Sequence, residues 1–144
     1  MSVLSEKSAK RVVLIISIGL LISSLTQKCY CTTTLCNDSS FVFLLGPLGF
    51  FYSWAGATWL ANPLLITSWI VINRNPKMSL ITSLLATILS LCFLLFHKIL
   101  DNENGDVREI TGYQLGYWLW VASSVSMLIG NSLLCFSKPK PPII

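Results

Sequence analysis

Residues 78–96 read MSLITSLLATILSLCFLLF, without a single Asp, Glu, Lys or Arg. As a helix this run would rise roughly 28 Å, close to the thickness of a bilayer's hydrocarbon core. Three further uncharged stretches, 12–27, 41–73 and 110–137, fill most of the remaining chain. Hydrophobic residues make up 53% of the 144 positions and charged ones 11%, with mean hydropathy +0.70. Four crossings then account for nearly everything, and no length is left for a soluble domain. The expected fold is all-α, a polytopic integral membrane protein with four transmembrane helices in an antiparallel bundle. One membrane domain, 1–144, is expected, with spans at about 12–27, 51–73, 76–100 and 112–136. A short outer interfacial or re-entrant segment should precede helix 2.

The net charge of +4 is distributed by side rather than by patch. Lys7, Lys10, Arg11, Arg74, Lys77, Lys138 and Lys140 flank the spans on one side. The other side has Lys28, Lys98 and Arg108 among Asp38, Asp101, Glu103, Asp106 and Glu109. The positive-inside rule therefore predicts cytoplasmic N- and C-termini. Basic residues at bilayer edges meet anionic lipid, so no nucleic-acid partner is expected. Lys7–Arg11 followed by Val12–Leu25 has the outline of a signal peptide, but Thr26-Gln27-Lys28-Cys29 offers no small-x-small cleavage site, and the segment reads as a retained first span. The compact design favours a bacterial cytoplasmic (inner) membrane.

The stretch 41–73 is longer than one crossing needs and too short for two. Gly46-Pro47 reads as a break, and a helix from Pro63 to Asn73 would rise only about 16 Å. The second span is therefore expected to begin near Phe51 and to run through Pro63 with a kink. Span three has an Asn75 cap and Pro76 at its first position. The polar stretches 27–40 and 101–109 read as an outer segment and an acidic turn. On a helical wheel Ser79, Ser83, Ala86, Ser90 and His97 share a stripe, and Gly112, Gly116, Ser123, Ser126 and Gly130 form another. Small residues let membrane helices approach closely, so the two stripes are predicted to face each other between spans three and four.

Three cysteines, Cys29, Cys31 and Cys36, fall in the outer stretch, where an oxidising face makes a disulfide the default. A Cys29–Cys31 ring would be cramped, so Cys36 should pair with one of them. A metal site of the three thiolates with His97 is the sharper alternative. Cys92 and Cys135 read as buried apolar side chains. The chain is similar in topology to quinone-linked disulfide-forming enzymes, but it has no C-x-x-C and no cysteine in its second outer loop. Claudins share four spans and a cysteine-bearing first loop, yet their Gly-Leu-Trp signature is missing. Asp101, Glu103 and Asp106 resemble calcium ligands, but Gly112 stands where a closing Glu is needed. Most aromatics map to the outer half, which marks Trp54, Trp59, Tyr113, Tyr117 and Trp120, with His97, as candidate ligand or partner contacts. Asn62 and Asn131 are the deepest polar groups and should hydrogen-bond between helices.

No span contains a charge, so no proton relay or ion path is evident. Paired carboxylates and a nucleophile–base motif are also missing, so no enzyme activity and no cofactor are expected. The leading expectation is a small integral membrane interaction protein, an accessory subunit or an immunity-type protein. Its partners would be the lipid bilayer and another membrane protein or a second copy of itself. The alternative is a carrier or binding protein for an uncharged or lipid-like ligand, and the third is a thiol-redox membrane protein.

Overall fold

The computed structural model describes residues 3–100 and 107–137. Helix α1, Val3–Leu25, is steadied near its start by a Glu6–Lys10 ion pair of 2.9 Å across one turn. A hairpin follows, β1 at Lys28–Thr32 and β2 at Cys36–Asp38, then α2, Ser39–Tyr52. A one-turn helix α3, Trp54–Ala57, passes through a 3-10 turn at Thr58–Leu60 into α4, Ala61–Val71. Helix α5, Pro76–Cys92, starts where Asn75 accepts from the Met78 amide at 3.2 Å, with Pro76 supplying the preset φ. Strands β3, Lys98–Leu100, and β4, Val107–Tyr113, lead into α6, Leu115–Phe136.

The molecule is mostly helical. Glu6–Leu25, Pro76–Leu95 and Leu115–Phe136 are each long and apolar enough to cross a membrane, and Ser39–Gly49 with Trp54–Val71 is a fourth candidate if a bent pair counts as one span. The all-α expectation needs one correction, because the two polar connections pair into a four-stranded antiparallel sheet in the order β2-β1-β4-β3. Tyr30 stands opposite Tyr113 and Cys31 opposite Gly112, while Lys98 faces Glu109. Either hairpin alone would be marginal. Joined edge to edge they satisfy each other's backbone groups and tie the α1–α2 connection to the α5–α6 connection. A cluster around Cys29, Phe93, Ile99 and Tyr117 packs beneath them.

Helix boundaries and the position of the break also differ from expectation. Span three, expected to reach residue 100, leaves the α-helix at Cys92 and extends into β3. Span four begins at Leu115 rather than 112, so Gly112 lies in β4 and the Gly112-x-x-x-Gly116 spacing is not a helical pair. The break expected at Gly46-Pro47 does not occur. Instead α2 runs through Pro47, and the chain turns at Ser53, extended at φ −153° and ψ 151°, with a bend of 111° between the flanking helices. Pro63 sits inside α4, so the sharp turn is not at Pro63. The tolerance of Pro47 has a specific cause. A proline at 47 deprives the Phe43 carbonyl of its i+4 amide, and Trp59 Nε1 donates to that carbonyl at 2.9 Å. Gly46 completes the seat, since a Cβ there would overlap the Trp59 ring.

Helix α6 lies between α1 and α5, and α4 packs on α5. This corrects the expected partner of its small-residue stripe. Gly116, Ser123 and Gly130 face α1 and the start of the sheet, not α5. A Cβ on Gly116 would overlap Ser39 Oγ and come within 2.6 Å of the Lys28 carbonyl, and one on Gly130 would strike Val13. Ser123 Oγ donates to the Ser17 carbonyl at 2.7 Å, and Ser24 Oγ to the Gly116 carbonyl at 2.7 Å. The opposite side of α6 meets the buried stripe Ser79, Ser83, Ala86 and Ser90 of α5 through larger residues. There Tyr117 OH donates to the Ser90 carbonyl at 2.8 Å. Asn131 Nδ2 donates to Ser68 Oγ, the Ser79 carbonyl and Ser83 Oγ at 3.2, 3.0 and 3.1 Å. A wheel says which residues share a face, but not which of two neighbours that face meets.

Candidate ligand-binding cavity

Because α2 crosses the direction of the helix that follows it, it roofs a space that an upright helix would have filled. The result is a cavity of about 670 Å³ at the sheet end of the bundle. Leu21 and Ser24 of α1, Cys29 and Tyr30 of β1, one face of α2 from Ser39 to Gly49, Trp59, Asn62, Phe93 and Trp120 are among the residues that line it. Among the described residues, no Asp, Glu, Lys or Arg lines it. The wall is held by indole hydrogen bonds. Trp59 bonds to Phe43 as described, and Trp120 Nε1 donates to Asn62 Oδ1 at 2.8 Å.

Several small polar groups stand in this wall, among them Ser24, Ser53, Thr58, Cys29 and Ser39. Cys29 is buried and its thiol is pushed up to about 12 by desolvation. The neighbouring Ser39 hydroxyl opposes that shift without meeting the geometry of a hydrogen bond, and Ser39 Oγ has no partner among the described residues. A thiol so held is protonated at neutral pH and is a poor nucleophile.

Of the candidates taken from sequence, Trp59, Asn62 and Trp120 meet at the cavity. Tyr113 and Tyr117 lie outside its lining and stack behind it on Phe93, with ring centroids 5.9 and 5.8 Å away. Tyr113 OH donates to the Phe93 and Phe96 carbonyls, both at 3.2 Å, and burial raises its pKa. Trp54, 85% exposed, projects from the corner at α3. His97 is exposed beside β3, and Asn131 is enclosed among α4, α5 and α6. Cys31 and Cys36 stand opposite each other across the hairpin and form a disulfide, while Cys29 is free. With two thiols joined, the three-thiolate set with His97 is not assembled. No group of three His, Cys, Asp or Glu able to hold a metal occurs among the described residues. The acidic turn with Asp101, Glu103 and Asp106 lies outside the described residues, as do Lys138 and Lys140.

Sequence reasoning missed Ser39, Ser24, Gly46 and the Phe43 carbonyl. One signal was present: a Gly-Pro pair inside an uncharged stretch frees a carbonyl at a defined position and leaves space beside it. Its partner, Trp59, is not near it in any periodic pattern. No family model matches the chain, and neither a curated protein nor a solved structure matches it.

Proposed function

We propose that this chain is a multi-pass protein of the bacterial inner membrane, with four spans, cytoplasmic termini and an external sheet, that binds an uncharged, lipid-like molecule in the cavity under α2. The cavity carries the reading. Its volume of about 670 Å³ falls within the range of small-molecule sites. An uncharged wall would leave an ionic ligand desolvated without a counter-ion. The exposed lining residues Phe41, Leu45 and Leu48 are all apolar and all on α2, so the opening suits entry from lipid rather than from water.

Purification in mild detergent followed by native mass spectrometry tests this. One uncharged molecule should be retained per chain. Gly49→Phe, whose Cβ would make only ordinary contact with Gly56 Cα at 3.8 Å, should fill the space and release it without loss of thermal stability. Equal retention by both proteins would refute the assignment to this cavity. Orientation is tested separately: a cytoplasm-only reporter should be active after Ile144 and silent after Asn104.

Interaction with another membrane protein is the second reading. It is favoured by Trp54, a large side chain left 85% exposed at the corner between α2 and α3. A stable protein partner lost on Trp54→Ala, with no retained lipid, would select it.

A further inference from the structure

One deep amide in the cavity wall has hydrogen-bonding capacity that the fold does not use. Ser39 is 5% exposed, and its Oγ, without a partner among the described residues, lies against Gly116 of α6, outside a ligand's reach. Asn62 is likewise 5% exposed, and its Oδ1 accepts from Trp120 Nε1. An indole N–H can only donate, so this bond fixes the orientation of the amide: oxygen toward Trp120, NH2 away from it. No hydrogen bond from Asn62 Nδ2 occurs among the described residues. Asn131, the other deep amide, differs, since its Nδ2 has three acceptors. Asn131 is a structural amide, whereas Asn62 faces its unused donors into a lining position. Unpaired N–H groups in apolar surroundings are costly, and an acceptor atom brought by a ligand removes that cost.

Building on the ligand-binding role proposed above, we infer that the molecule taken up is an uncharged amphiphile bearing carbonyl oxygens. One carbonyl accepts from Asn62 Nδ2, and the tail leaves past Phe41, Leu45 and Leu48. A pure hydrocarbon would leave the amide unpaired. A phosphate or carboxylate would find no cation, because among the described residues neither Lys nor Arg lines the wall. Ester lipids and alkyl quinones share this chemistry, and the rings of Trp59, Phe93 and Trp120 suit a planar quinone as well as a chain.

The full chain, Asn62→Leu and the double variant Asn62→Leu/Trp120→Phe would each be placed in nanodiscs of ether-linked phospholipid, which carry no ester carbonyl. Three probes would be titrated by native mass spectrometry: 2-decyl-1,4-benzoquinone, dioctanoylglycerol, and decylbenzene, which has no oxygen. At least one carbonyl probe should bind roughly tenfold more tightly than decylbenzene, and whichever binds identifies the source as quinone or ester. Each variant should weaken that probe roughly fivefold to tenfold while leaving decylbenzene within about twofold, the scale of one neutral hydrogen bond. The double variant leaves no indole N–H unpaired, so it keeps the test informative if Asn62→Leu, which strips Trp120 of its acceptor, fails to fold. Equal affinity for all three probes, or an equal loss of all three in the variants, would overturn the carbonyl inference and leave lipid binding intact. No binding by any probe would overturn both.

Discussion

Gly46→Ala perturbs the seat on which the cavity wall depends. Adding a Cβ at 46 forces the Trp59 ring to move, because the two would overlap. Repacking of that kind costs about 1–3 kcal/mol. The displacement also breaks the bond from Trp59 Nε1 to the Phe43 carbonyl. That carbonyl cannot recover a helical partner, since residue 47 is Pro, so a donor and an acceptor are left unpaired at about 1–3 kcal/mol for such a group. Against this stands the helix propensity that Ala gains over Gly, about 1 kcal/mol. The net expectation is a loss of about 1–5 kcal/mol, read by unfolding in mixed micelles with tryptophan emission as a second signal. Gly19→Ala is the control. Nothing lies within 4 Å of its added Cβ, so it should be neutral or stabilising. Adding Pro47→Ala to Gly46→Ala returns an amide to the Phe43 carbonyl and should recover about 1 kcal/mol. Wild-type stability for Gly46→Ala, or no recovery in the double variant, would refute the account of how Gly46 and Pro47 seat Trp59.

Three more outcomes follow from the packing. Gly130→Leu should cost about 1–3 kcal/mol through its clash with Val13, and Val13→Ala should recover most of it; no recovery in a thermal scan would mean the stripe of α6 does not pack on α1. Asn131→Leu removes three hydrogen bonds joining α4, α5 and α6. At about 0.6 kcal/mol per bond within a membrane, the loss should be about 2 kcal/mol, and a shift below a quarter of that would count against the network. The Cys29 thiol, at about 12 in the folded chain against 9.0 for the reference thiol, should resist alkylation through pH 9 in folded protein. Because burial favours the neutral form, the unfolded chain ionises first, and stability should fall as pH rises from about 9 toward 12. Rapid labelling of folded protein at pH 8 would contradict the burial.

Local chemistry made several features legible in the residues. Runs free of charge, such as 78–96, are long enough to cross hydrocarbon, and Asn75-Pro76 marks a helix start. Spacing left Cys36 to pair with Cys29 or Cys31, since those two are too close to join each other, and the hairpin register chose Cys31. Other features depend on segments far apart in sequence. Strands β1 and β4 are short, and each becomes a strand because the other is held at the same end of the bundle. The stripe of Gly116, Ser123 and Gly130 announces a close contact but carries no address for it, and only packing assigns it to α1. The Gly46-Pro47 pair looked like a break because its remedy, the indole of Trp59, lies beyond the turn at Ser53. Length, polarity and caps are properties of consecutive residues, so the sequence by itself marked the stretches long and apolar enough to cross a membrane and the start of α5. The sheet, the partner of each helix face, and the cavity with its unused amide donors arise from distant segments meeting, and only the tertiary structure decided them.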